Sequence, residues 1–157
     1  MLSAIRKVGI IGIVVSCVIL LSGCQAEARA YVINDDGTLR LNVVPGCDVT
    51  FQNVTVKYLP AGDSSIGFDD LETVWSVTFA PGAGVQSVDL FTQVPGAVDE
   101  FIADSADLSR DVVVNWTEDN GANNAVSGVL ADLQPGYVLS QADVQTAQDY
   151  LSREHNC

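Results

Sequence analysis

Val112-Val113-Val114-Asn115-Trp116-Thr117-Glu118-Asp119-Asn120-Gly121 is the stretch that decides the fold of this chain. Val112, Val114 and Trp116 share one parity and alternate with Val113 and Asn115, the period of a half-buried β-strand. Glu118 to Gly121 then turns the chain, because glycine tolerates the positive φ that such a turn requires. Downstream, Val126 to Leu133 reads as another strand, Gln134-Pro-Gly136 as a turn, and Tyr137 to Leu139 as a short strand. Upstream, Trp75, Val77 and Phe79 alternate with Ser76 and Thr78, and Pro81 to Gly84 ends that run. Val85 to Thr92 makes a further strand, closed by Pro95-Gly96.

The pattern extends to the start of the domain. Tyr31 to Ile33 leads into the turn Asn34-Asp35-Asp36-Gly37, and Leu39, Leu41 and Val43 alternate with Arg40 and Asn42 up to Pro45-Gly46. Val49 and Phe51 hold one parity, while Val54, Val56 and Tyr58 hold the other. A switch at Gln52-Asn53 is what one inserted strand residue produces, so a bulge or bend is expected there. Seven or eight short strands between Gly/Pro turns predict a mainly β protein, an antiparallel β-sandwich.

Two segments leave this pattern. Ser140 with Asp143 three residues on looks like a capping box, and Val144, Ala147 and Leu151 form an apolar stripe, predicting one C-terminal α-helix over 140–153. Val98 to Leu108 fits either a helical stripe or an acidic loop. Leu133-Gln-Pro-Gly-Tyr137 resembles the Leu-x-Pro-Gly…Tyr corner of fibronectin type III and immunoglobulin-like domains, with the tyrosine closer to the glycine than usual. That resemblance implies an immunoglobulin-like sandwich.

The N-terminus carries a different message. Arg6 and Lys7 precede an apolar run from Val8 to Leu21, and Leu21-Ser22-Gly23-Cys24 follows. The run is about 14 residues, whereas a spanning helix needs roughly 20. A charged start, a short apolar core and small residues before a cut make a secretory signal. Leu-Ser-Gly-Cys resembles the lipobox of bacterial lipoproteins. The resemblance implies a signal peptide over residues 1–23, a diacylglycerol on the Cys24 sulfur, and attachment to the extracytoplasmic face of the cell membrane. Residues 24–30 are then the lipidated tether and 31–157 a single domain.

Two of the seven basic residues, Arg6 and Lys7, lie in the leader, so the remaining 134 residues carry a net charge of about −15. Such a surface repels phosphate backbones, and no nucleic-acid partner is expected. Anionic headgroups repel it as well, which leaves the lipid to hold the membrane. With Cys17 in the leader and Cys24 acylated, Cys47 and Cys157 are the pair left for a disulfide. The bridge would close a loop of about 110 residues, an effect of roughly 4–5 kcal/mol in the chain-entropy model.

Few residues suggest chemistry. His155 is the lone histidine, two residues before Cys157, and the chain has no Gly-x-Ser-x-Gly elbow, His-Glu-x-x-His or phosphate-binding glycine loop. Asp69-Asp70, Glu72 and Asp99-Glu100 are the densest acidic clusters, of use to a glycosidase only if two carboxyls face each other. Asn34 to Gly37 and Glu118 to Gly121 have oxygens for a hard cation, though turn chemistry alone explains them. Trp75 and Trp116 alternate in phase with aliphatic residues and are expected in the core rather than lining a groove. The expectation is a module without catalytic residues, metal or cofactor, held to the membrane through its anchor. A protein or glycan of the envelope is its expected partner, a purely structural envelope role or a small carboxylate-based hydrolase being the alternatives.

Overall fold

The computed structural model describes residues 29–61, 67–141, 143–155 and 157, and shows two five-stranded antiparallel sheets packed face to face. The strands are β1 (Ala30–Asp35), β2 (Thr38–Val43), β3 (Phe51–Tyr58), β4 (Thr73–Phe79), β5 (Ser87–Asp89), β6 (Ala97–Ile102), β7 (Asp111–Glu118), β8 (Asn123–Val129), β9 (Tyr137–Leu139) and β10 (Val144–Thr146), followed by helix α1 (Ala147–Leu151). One sheet runs β10-β9-β1-β2-β5 and the other β6-β4-β3-β7-β8. The sandwich is therefore as expected, with ten strands among the described residues rather than seven or eight. None of their helices is long and apolar enough to cross a membrane.

Alternation builds the core. Val112, Val114 and Trp116 on β7 meet Val54 and Val56 on β3 and Trp75, Val77 and Phe79 on β4, all buried. Leu41, Val32 and Leu139 close the core from the other sheet. Both tryptophans are 0% exposed. The parity switch is a bulge: the β3–β7 register shifts between Phe51 and Asn53. At the β1–β2 hairpin, Asp36 and Gly37 both take positive φ (48° and 96°), the mirror-image turn that matches strand twist.

The chain enters the sheet earlier than expected. Ala30 is fully buried in β1 and pairs with Val43, and the Arg29 carbonyl accepts from the Val44 amide at 2.8 Å, so both residues belong to the domain rather than to a tether. Cys24 and the expected signal peptide over residues 1–23 lie outside the described residues.

The expected helix over 140–153 is corrected to five residues. Ser140 and Asp143 close a local turn, the Ser140 amide donating to the Asp143 carbonyl at 3.1 Å. Val144–Thr146 then pairs back on β9, Val144 opposite Leu139. Ladder bonds to the open edge of β9 outweigh a short helix that is marginal alone, and β-branched Val144 and Thr146 suit a strand. Thr146 caps the helix instead of Ser140, its Oγ1 accepting from the Asp149 amide at 3.1 Å. Of the expected apolar stripe only Ala147 packs against the core, while Val144 is 54% and Leu151 40% exposed. Tyr150 is the buried anchor, its ring 5.1 Å from that of Tyr31. Val98 to Leu108 is neither helix nor wholly loop, since it opens with β6. The Leu133–Tyr137 corner is a turn that starts β9, the Tyr137 amide donating to the Gln134 carbonyl at 3.0 Å.

Candidate functional site

Strand β6 stands apart from the rest of the sandwich. It pairs with β4 alone among the described residues and ends its sheet. Val98, Phe101 and Ile102 on it are 63%, 47% and 39% exposed, three of the six large apolar side chains that the described residues leave open. Ile102 and Glu100 lie opposite Trp75 and Val77, which point into the core. Phe101 and Asp99 lie opposite Ser76 and Thr78, on the outer face. Glu100 is partly occupied at home, its carboxylate accepting from the Val94 amide at 2.7 Å. Asp99 is exposed.

A cleft of about 490 Å³ opens on the same flank, between β5 and the connector that carries the chain from β5 across to β6. Arg40, Ser87, Asp89 and Thr92 to Pro95 line it, with Phe79 and Val85. The Arg40 guanidinium donates to Asp89 at 2.5 Å and to Asp35 at 3.0 Å. Its bond to Asp89 and that carboxylate's charge, then Asp35, raise its pKa further, so it stays cationic. The connector is strained, because Phe91 holds φ at +61°, a conformation costly for a bulky residue. Trp75 fixes it: Nε1 donates to the Thr92 carbonyl at 3.1 Å and the ring sits 6.4 Å from Phe91. The Leu90 amide donates to the Leu39 carbonyl at 2.8 Å on the other side. The core of one sheet thus positions the floor of the cleft and the start of β6.

The residues singled out by sequence are distributed as follows. Cys47 and Cys157 form a disulfide, Cα to Cα 5.1 Å. Trp75 and Trp116 are core residues, unavailable for stacking on a ligand. Asp69 and Asp70 sit on a short 3-10 turn beyond one end of β4, next to Glu72, while Asp99 and Glu100 pair with Thr78 and Val77. Glu72 and Val77 are five steps apart along the chain, about 16 Å at ~3.3 Å per residue, so the two acidic clusters do not face each other. In the oxygen-rich turns, Asn34 Oδ1 accepts from the Gly37 amide at 2.7 Å and Asn120 Oδ1 from the Ala122 amide at 2.7 Å. Their oxygens serve the backbone. Among the described residues no group of three or more His, Cys, Asp or Glu side chains could hold a metal. His155 Nε2 donates to the Tyr150 carbonyl at 2.9 Å and so caps the helix end.

Two buried charged side chains, Glu118 and Lys57, carry no signal of their burial in their residue type. Glu118, 0% exposed, continues the inward parity of Val112, Val114 and Trp116 and accepts from Asn120 at 3.1 Å and Asn124 at 2.9 Å, with the Arg29 guanidinium 3.6 Å away. That parity was visible in the sequence, but a carboxylate at the end of a strand reads as turn. Lys57, 8% exposed, donates to the Phe68 carbonyl at 2.9 Å with its ammonium 4.5 Å above the Phe68 ring. No family model, curated protein or solved structure matches the chain.

Proposed function

We propose that this chain is a lipid-anchored, extracytoplasmic lipoprotein whose single domain works as a non-enzymatic binding module of the cell envelope. Leu21-Ser22-Gly23-Cys24 after a short apolar run supports the anchor, through Cys24. The observation that carries the binding role is the concentration of exposed Val98, Phe101 and Ile102 on one edge strand. Open sheet edges are ordinarily protected by charge, proline or cover, and exposed apolar patches mark interaction sites. A purely structural protein has no use for such an edge. The strained, tightly braced connector beside it favours the same reading, since braced strain collects at binding and catalytic sites.

The test has two parts. Intact-mass analysis of membrane-extracted protein is expected to give a diacylglyceryl modification on an N-terminal Cys24, and Cys24→Ala is expected to leave the precursor uncut. An unmodified or different N-terminus rejects the anchor. Photo-crosslinking in living cells from probes spread over the domain surface is expected to capture an envelope component. A domain that captures none, with wild-type anchoring, rejects the binding role.

A further inference from the structure

We infer that β6 is a docking edge for an extended, basic peptide segment of a partner protein, which adds to the β6-β4-β3-β7-β8 sheet as an antiparallel sixth strand. This rests on the binding-module reading and gives that module its ligand class.

The backbone supplies the first half. The Ala103 amide donates to the Val74 carbonyl at 3.0 Å. In an antiparallel ladder bonded and unbonded positions alternate, so Phe101 and Asp99 spend their backbone groups on β4. Glu100 and Ile102 then present theirs to the open side. Strand addition at such an edge takes its affinity from these main-chain bonds and its specificity from alternate side chains.

The side chains supply the second half. On the outer face an added strand meets Phe101 and, two residues away, Asp99; on the inner rim it meets Ile102 beside Glu100. Running antiparallel, the partner requires two successive apolar residues opposite Ile102 and Phe101, then one free position, then a base opposite Asp99. Glu100 asks for nothing, because it already binds Val94.

Charge decides between a foreign segment and a second copy of this chain. From residue 58 to residue 109, the stretch supplying β4, β5 and β6, there is no Lys, Arg or His, against nine Asp and Glu. The nearest bases in the sequence are engaged: Lys57 with the Phe68 carbonyl and ring, and Arg110 3.7 Å over the Tyr58 ring. Two such flanks edge to edge would join acid to acid with no counter-charge. A lysine- or arginine-bearing strand neutralises one.

The probe is a short synthetic peptide carrying Val-Val-Thr-Lys, titrated into the full chain and followed by amide exchange and calorimetry. Added protection is expected at the Glu100 and Ile102 amides, with affinity falling as salt rises. A Val-Val-Thr-Glu peptide is expected to bind about threefold more weakly, the scale of one exposed ion pair, and Asp99→Lys to reverse that preference. Phe101→Thr keeps a strand-forming side chain and is expected to weaken binding about tenfold, from lost apolar contact. The inference is overturned if both peptides bind alike, if protection falls elsewhere, or if the Glu100 and Ile102 amides are already protected in the free chain. Concentration-dependent self-association that protects β6 overturns it in favour of a second copy. Envelope crosslinks confined to another surface overturn the edge assignment while leaving the binding-module reading intact.

Discussion

The two sheets are built on different terms. In the β6-β4-β3-β7-β8 sheet every strand has six to eight residues, and its central strands carry Val54, Val56, Trp75, Val77, Val114 and Trp116 into the core. In the other sheet three of five strands have three residues each. That sheet is completed by devices outside the ladder: the disulfide, the Tyr150–Tyr31 contact, and an Asn34 side chain that donates to the Leu133 carbonyl at 2.6 Å. Long ladders with apolar alternation support themselves, whereas short ones need staples.

The sharpest way to break this contrast is to remove the staple. Cys157→Ser is expected to cost up to about 4–5 kcal/mol, the chain-entropy value for a loop this long. Amide exchange should rise more in β9, β10 and α1 than in β3, β4 and β7. Uniform loosening of both sheets would show that the bridge serves the whole domain equally.

A second test lies inside the long-stranded sheet. Trp75 Nε1 has an acceptor in Thr92, while Trp116 Nε1 is buried with no partner among the described residues. Trp75→Phe strands the Thr92 carbonyl and frees a strained connector, whereas Trp116→Phe removes an unsatisfied donor. Trp75→Phe should therefore be the more destabilising by about 1–2 kcal/mol, measured by urea unfolding. Equal costs would mean that ring volume alone matters at both sites.

Alkaline pH sharpens the contrast from the short-stranded side. Burial pushes the Tyr31 phenol above its ordinary pKa of 10.0, against a smaller lowering by its bond to Asn42. A raised pKa means that the folded state holds the proton more tightly. This contribution is complete below about pH 10 and is lost as pH rises through the folded value. Loss of α1 helicity should then accompany tyrosinate absorbance. Acid gives the smallest effect. Bonds from the Ser109 hydroxyl and amide lower the pKa of the exposed Asp107, so its contribution is present above about pH 4 and declines as pH falls through the folded value. Loosening confined to residues 103–110, followed by amide shifts, is the expected sign.

Legibility in the sequence follows the same division. Strands β3, β4 and β7 are readable because each carries a continuous inward parity, and even the Gln52–Asn53 irregularity leaves its mark as a parity switch. Strand β6 hides because an edge strand need not alternate: Val98, Phe101 and Ile102 are spaced like a helix stripe because solvent, not a core, receives them. At the C-terminus Val144, Ala147 and Leu151 mimic an amphipathic face while Tyr150 is what the fold buries. The cysteine pair was found by counting, but the cleft was not legible, since Arg40, Asp89 and Pro95 become neighbours only through sheet pairing and a crossover.

The Cys47–Cys157 bond also shapes how the domain bears force. It closes residues 47–157 into a covalent ring and, of the described strands, leaves β1 and β2 outside. Tension entering at Arg29 runs along β1, which is flanked by β2 and β9, so the six-pair β1–β2 ladder and the two-pair β1–β9 ladder are both loaded in shear. A pull at β6 meets the ring instead. It divides into two arms that reunite at Cys47, one through β5, β4 and β3 and the other through β7, β8, β9, β10 and α1. Each arm carries part of the load, and neither can be drawn out without the other.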